Sequence, residues 1–221
     1  MEALLARLKD PGIRAKLREE SNKSHEGRWS DIYVGYVKSK DNQWTVGKSI
    51  EEIAEIKKTD PADACFDLVL EERGRVDEIN FGMCEDDVEY IMKKPYVMIG
   101  SDGKAVSFDY PGRPHPRFFG AFPRVSHYCR DRGLFTLEET VNKMTAMPAA
   151  RLGIGDRGMI KEGMWADLVL FDFEGLCDNP DFEDPKQPCG GIKRVYVNGV
   201  LTAKDGIHTG ARAGRVLRKR I

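Results

Sequence analysis

Residues 76–103 read VDEINFGMCEDDVEYIMKKPYVMIGSDG, and how this stretch folds decides the class of the protein. Residues 77–83 have the composition of a strand, residues 85–93 that of a helix, and residues 96–100 (YVMIG) that of a short apolar strand. The last run stops at Ser101-Asp102-Gly103, a turn-forming triplet. Strand, helix and strand in succession predict an α/β architecture.

The flanks carry the same texture. Upstream, Leu4, Leu5 and Leu8 repeat at helical spacing until Pro11-Gly12 breaks the run, and a second helix is predicted to end near Glu20. Residues 21–30 are polar, and residues 31–37 (DIYVGYV) read as a strand. Ser49-Ile-Glu-Glu52 is a capping box that opens a helix to about Lys58, and Asp60-Pro61 starts another with proline at its first position. Downstream, residues 104–116 form a loop rich in proline and glycine. Helices follow near residues 117–132 and from the Thr136-Leu-Glu-Glu139 box, with a helical turn at 148–152. After Gly153 glycines punctuate short apolar runs: ADLVLFD (166–172), IKRVYVNG (192–199) and VLTAKDG (200–206). Asn198-Gly199 between two such runs is a hairpin signal. The expected division is therefore residues 1–152 and a small β domain at 153–221.

Composition narrows the partners. Apolar residues make up 41% and charged residues 32% of the 221, with a net charge of −1, which excludes a disordered polyelectrolyte. Nucleic-acid binding calls for a basic face, and only the tail at 212–220 is locally basic, in the manner of a solvated end. No run approaches the roughly 18 apolar residues of a membrane span, and the amphipathic start has no signal-peptide core. The five cysteines (65, 84, 129, 177 and 189) are odd in number and never spaced as CxxC. They read as reduced thiols, so a cytoplasmic location is expected.

Two residues stand out chemically. Asp102 follows an expected buried strand, where a parallel barrel places its catalytic groups. A turn aspartate bonding its own backbone accounts for it as well. Arg117, in His115-Pro116-Arg117, could clamp a carboxylate bidentately or be an ordinary loop arginine at a helix start. His25, His115, His127 and His208 show no HxH, HxxxH or HExxH spacing. His127 and Cys129 are two apart, yet zinc needs three or four convergent ligands. Ser24-His25 and Ser126-His127 are mere sequence neighbours, and the glycines at 153–163 match no phosphate loop.

Several phrases in order resemble the N-acyl-D-amino-acid deacylases (D-aminoacylases) of the amidohydrolase superfamily. They are EALLARLKDPGIRAKLREE, SIEEIA, DPADACFDLVLEE, MCEDDVEYIMKKPYVMIGSDG, and the long run from RPHPRFFGAFPRVSHYC to MWADLVLFD, closed by GIKRVYVNGVLTAKDG. The stretch 97–172 is specific, whereas the β-domain phrases alone also fit dihydroorotases and hydantoinases. The resemblance implies an α/β fold made of the C-terminal portion of a TIM-type metal-dependent hydrolase barrel and the C-terminal part of a small β-sandwich domain. It leaves residues 1–60 open to being an insertion beside the barrel. It implies hydrolysis of N-acyl-D-amino acids, with Asp102 as the catalytic acid/base and a metal contact, and Arg117 as the grip on the substrate carboxylate.

The departures from the family bear equally on function. The family's HxH strand, metal-binding cysteine and later histidines have no counterpart in this sequence, and Cys65, Cys84 and Cys129 stand in the wrong contexts to replace that cysteine. The resemblance thus implies zinc for the complete enzyme, none retained by this chain, and no activity in isolation. A separate chain bearing the missing part is the implied partner. The rivals are another, cyclic-amide amidohydrolase, which the HPR loop disfavours because it suits a free carboxylate, and a non-catalytic fragment or partner subunit.

Overall fold

A computed structural model describes residues 1–25 and 27–218; Lys219 and Arg220, the end of the basic tail, lie outside the described residues. The chain forms two compact units. The first holds residues 1–82 and 109–115, the second residues 83–108 and 116–221.

In the first unit, α1 (Glu2–Lys9) is followed directly by α2 (Pro11–His25), and Asp10 Oδ1 accepts the Gly12 and Ile13 amides at 2.9 Å each. β1 (Ile32–Val37) comes next, then α3 (Ile50–Lys57) and α4 (Pro61–Glu71), and β2 (Val76–Asn80) closes the series, antiparallel to β1. The expected capping box forms: Glu52 N donates to Ser49 Oγ at 3.1 Å and Ser49 N to Glu52 Oε2 at 2.7 Å. Asp60 Oδ1 likewise accepts from Ala62 N at 2.9 Å. These caps satisfy amides that a helix start leaves without intrahelical partners. The apolar faces so fixed bury Trp29, Ile32, Val34, Val37, Ile50, Ile53 and Leu68 in one core.

α2 runs five residues past its expected end at Glu20. Asn22 donates to Asp60 Oδ2 at 2.9 Å and accepts from Trp29 Nε1 at 3.0 Å, and His25 stacks on Trp29 at 4.5 Å. These contacts come from distant or folded-back residues, so they override local propensity. Arg14 and Arg18 bind Asp63 at 2.8 and 2.9 Å. Burial pushes the Asp63 carboxyl up, but the two guanidinium groups outweigh it and hold it below the usual range.

The second unit contains α5 (Glu85–Met92), α6 (Arg117–Arg130), α7 (Leu137–Met144) and α8 (Ala146–Leu152). Met92, Val125 and Tyr128 form its helical core, with Val88, Ile99, Leu134, Phe135 and Met144 packed around them. The Thr136–Glu139 box caps α7 reciprocally at 2.9 and 3.2 Å. β3 (Leu168–Phe171), β4 (Ile192–Val197), β5 (Val200–Lys204) and β6 (Ile207–His208) form one antiparallel sheet in chain order. The β4–β5 turn is Asn198-Gly199 with φ of 50° and 80°, the left-handed pair that a two-residue hairpin requires. Gly191, at φ 75°, has no room for a side chain, because a Cβ would lie 2.5 Å from Leu176 Cα.

The expectation of a strand at 96–100 fails. Residues 96–100 are not a strand, and β2, the other strand of the expected strand–helix–strand unit, pairs antiparallel with β1. Val97 N donates to Lys94 O at 3.1 Å and Ile99 N to Lys143 O at 3.0 Å, while Pro95 has no N–H. A strand exists only through its neighbours, and the amides of this segment bond to its own preceding turn and to α7. Among the described residues both sheets are antiparallel throughout, and no helix is long and apolar enough to cross a membrane.

Candidate active site

Asp102 and Arg117, 15 positions apart, meet in the second unit. Asp102 sits in the exposed 101–103 turn with φ 46°, a left-handed value that aspartate tolerates better than most residues. Ser101 Oγ accepts the Gly103 amide at 3.2 Å and closes the turn. Arg117 opens α6; its Nε donates to Asp102 O at 3.0 Å and its Nη2 pairs with Asp102 Oδ2 at 2.9 Å. Gly103 permits this approach, since a Cβ there would lie 3.2 Å from both Arg117 O and Phe118 Cα. The Asp102 carboxylate remains 86% exposed, open to a further ligand.

The segment leading into the turn is fastened by Lys143, which the sequence reading passed over. Its side chain is buried, and Nζ donates to Lys94 O at 2.6 Å and Val97 O at 2.9 Å. The available signal was its place on α7: it lies one turn after Thr140, on the face that the helix buries. Lys143→Met is expected to lower stability by about 1–3 kcal/mol, because two carbonyls lose their charged donor. Faster amide exchange over residues 97–103 should accompany the loss. An unchanged urea midpoint together with unchanged exchange would count against this role.

The histidines are dispersed. His127 Nδ1 pairs with Asp131 Oδ2 at 2.9 Å, His208 Nδ1 accepts the Gly210 amide at 2.9 Å, and His25 Nδ1 bonds Ser21 O at 2.8 Å. His115 is grouped with the first unit, and Asp102 and Arg117 with the second. All five cysteines are free thiols, and burial pushes both Cys65 and Cys189 up to about 11, away from the thiolate that binds metal. Among the described residues no three histidine, cysteine or acidic side chains gather where a metal could bind. Asp102 is one carboxylate already paired with a cation, so these residues do not by themselves fit a zinc ion.

An aspartate in a turn is thus ion-paired with an arginine at a helix start, and a small antiparallel sheet follows in the chain. The sequence profile of the amidohydrolase family matches residues 43–203. The chain belongs to the amidohydrolase family. It is 42% identical over 172 residues to a D-aminoacylase of Alcaligenes xylosoxydans xylosoxydans, covering 77% of this chain and 34% of that relative. A crystal structure of D-aminoacylase superposes with a TM-score of 0.74 at 40% identity, over 85% of this chain and 38% of that one. The N-acyl-D-glutamate deacylase of Bordetella bronchiseptica, solved with zinc and a phosphonate mimic of the tetrahedral intermediate, gives a TM-score of 0.75 at 33% identity over 89% of this chain and 39% of that one. This amidohydrolase chain thus spans about a third of the length of the curated relatives it matches.

Proposed function

We propose that this chain is the C-terminal part of a metal-dependent amidohydrolase that cleaves N-acyl-D-amino acids to a D-amino acid and a carboxylate. Both superposed proteins act in that chemistry by name, one of them on N-acyl-D-glutamate. The observation that carries the reading is the meeting of Asp102 with Arg117 across 15 residues. On this reading Asp102 accepts and returns the proton of amide hydrolysis and contributes one ligand to the metal. Arg117 presents its planar fork to the α-carboxylate of the substrate and so orients the scissile amide. Residues 1–152 form the barrel part, with about 1–60 an insertion, and 153–221 the β-sandwich part. Free thiols suit a cytoplasmic location.

A lone carboxylate is a weak base toward unactivated water, and this chain gathers no metal site among its described residues. On this reading a polypeptide bearing the family's metal-binding part supplies the remaining ligands. The test is complementation. The purified chain should neither hold stoichiometric zinc nor hydrolyse N-acetyl-D-amino acids. Mixed with a polypeptide bearing the family's HxH strand and later histidines, it should hydrolyse the D- but not the L-enantiomers. One zinc per chain with D-specific turnover by the chain alone would refute the division of labour. A zinc-loaded mixture that cleaves dihydroorotate instead would refute the substrate class.

A further inference from the structure

We propose that a cavity between α6 and the β4–β5 sheet of the second unit binds one small neutral aromatic molecule. Its walls are Phe119 and Pro123 of α6, Phe108 from the preceding loop, Pro188, Ile192 at the start of β4 and Ala203 in β5. Phe119 and Pro123 are four positions apart and so share one face of the helix. The rings of Phe108 and Phe119 stack, with centroids 5.0 Å apart and planes at 11°. The segment between β3 and β4 is held to the helix. Ser126 Oγ donates to Leu176 O at 3.1 Å, Arg130 Nη1 to the same oxygen at 2.9 Å, and Cys189 Sγ to Phe119 O at 3.3 Å. The cavity is thus preformed, and a ligand does not have to order its walls.

Size, charge and polarity select the ligand. The cavity measures about 180 Å³, and an apolar cavity of roughly 150 Å³ accommodates one benzene ring. No charged residue is among those that line it, so a carboxylate or an ammonium would lose hydration without gaining a counter-charge. The polar side chains of the lining are already engaged: Cys189 donates to Phe119 O, and Gln187 Nε2 donates to Asp184 O at 3.1 Å. Burial pushes the Cys189 thiol up to about 11, so it adds no charge at neutral pH. A well-held water needs several polar partners, which this lining does not offer, so an apolar ring displaces water at little cost. An aromatic ring gains further from contact with Phe108 and Phe119. Neither Asp102 nor Arg117 lines the cavity, so the inference stands apart from the reading of those two residues.

The test compares two ligands built on one ring. The isotope-labelled full chain is titrated by NMR with phenol, which is neutral at pH 7, and with benzoate, which is charged. Phenol is expected to bind with a Kd on the order of 1 mM, as a fragment-sized ligand does, and to shift the amide signals of Phe119, Ile192 and Ala203 most. Benzoate should bind at least about tenfold more weakly. Ala203→Leu should abolish phenol binding by filling the space, with the urea midpoint as the control for folding. Phe108→Ala removes one ring at an exposed position and should weaken phenol about fivefold, whatever the fate of the Leu variant. Arg117→Ala should leave phenol binding unchanged. No saturable binding of phenol, shifts centred elsewhere, or benzoate bound as tightly overturns the inference. So does a dimer in light scattering that phenol dissociates, which would make a second copy of the chain the occupant.

Discussion

Asp102→Asn in the complemented enzyme is expected to lower kcat by about 10²–10⁴-fold, the range that a positioned general acid/base contributes. KM should change little. Asparagine keeps the shape and can occupy the left-handed φ of 46° at this turn, so the backbone has no reason to move. What it cannot do is accept a proton at neutral pH. The ion pair with Arg117 is lost, yet it is exposed on the Asp102 side, where such pairs contribute little to folding. Arg117→Ala should show the opposite split: a raised KM for N-acetyl-D-amino acids with a smaller loss in kcat, because it removes a contact made in both ground and transition states. Steady-state kinetics on both variants, with urea unfolding as the control for folding, separate the roles. An Asn variant as active as the parent would exclude Asp102 from the chemistry.

The largest effect on stability is expected at Glu72. This carboxylate is buried, and it accepts hydrogen bonds from the Lys38 amide at 2.7 Å, the Ser39 amide at 2.9 Å and Asn42 Nδ2 at 2.8 Å, as well as from the Ser39 hydroxyl. It thereby ties the loop after β1 to the end of α4. Burial pushes the carboxyl up, but the hydrogen bonds from Ser39, Asn42 and Lys38 outweigh it and hold it below the usual range. Glu72→Ala strands these donors and should lower stability by roughly 3–4 kcal/mol. A carboxyl whose folded pKa is depressed contributes fully above its unfolded pKa, near ~4.3 for glutamate, and loses that contribution as pH falls through the folded value. The difference between parent and variant should therefore be largest at neutral pH and shrink below about pH 4. Urea unfolding at pH 7 and pH 3.5 measures it. A difference under about 1 kcal/mol at pH 7 would mean that water replaces the carboxylate without cost.

The residues of the proposed site stood out in the sequence to different degrees. Resemblance singled out Asp102 and Arg117 from short phrases, while residues alone left each with an ordinary turn or loop explanation. Lys143 escaped because a lysine on an amphipathic helix reads as solvent-facing, and its two carbonyl acceptors lie 46 and 49 positions away. The histidines show the converse. Their spacing gave no metal pattern, and the described ones that take up visible bonds do so with local backbone or with an aspartate one turn away.

What the sequence by itself determined is what a few adjacent residues can settle. The Ser49 and Thr136 boxes, the Asp60-Pro61 start and the Asn198-Gly199 hairpin all form as read, because each satisfies its own backbone within about four residues. Tertiary structure decided the rest. Residues 96–100 have a strand's composition but no ladder, because strand formation depends on neighbours that composition does not supply. α2 extends to His25 because Asp60 and Trp29 fold back onto Asn22 and His25. Asp102 and Arg117 meet because Gly103 lets the turn close onto α6, a contact fixed by the path of the intervening chain and not by either residue's own preference.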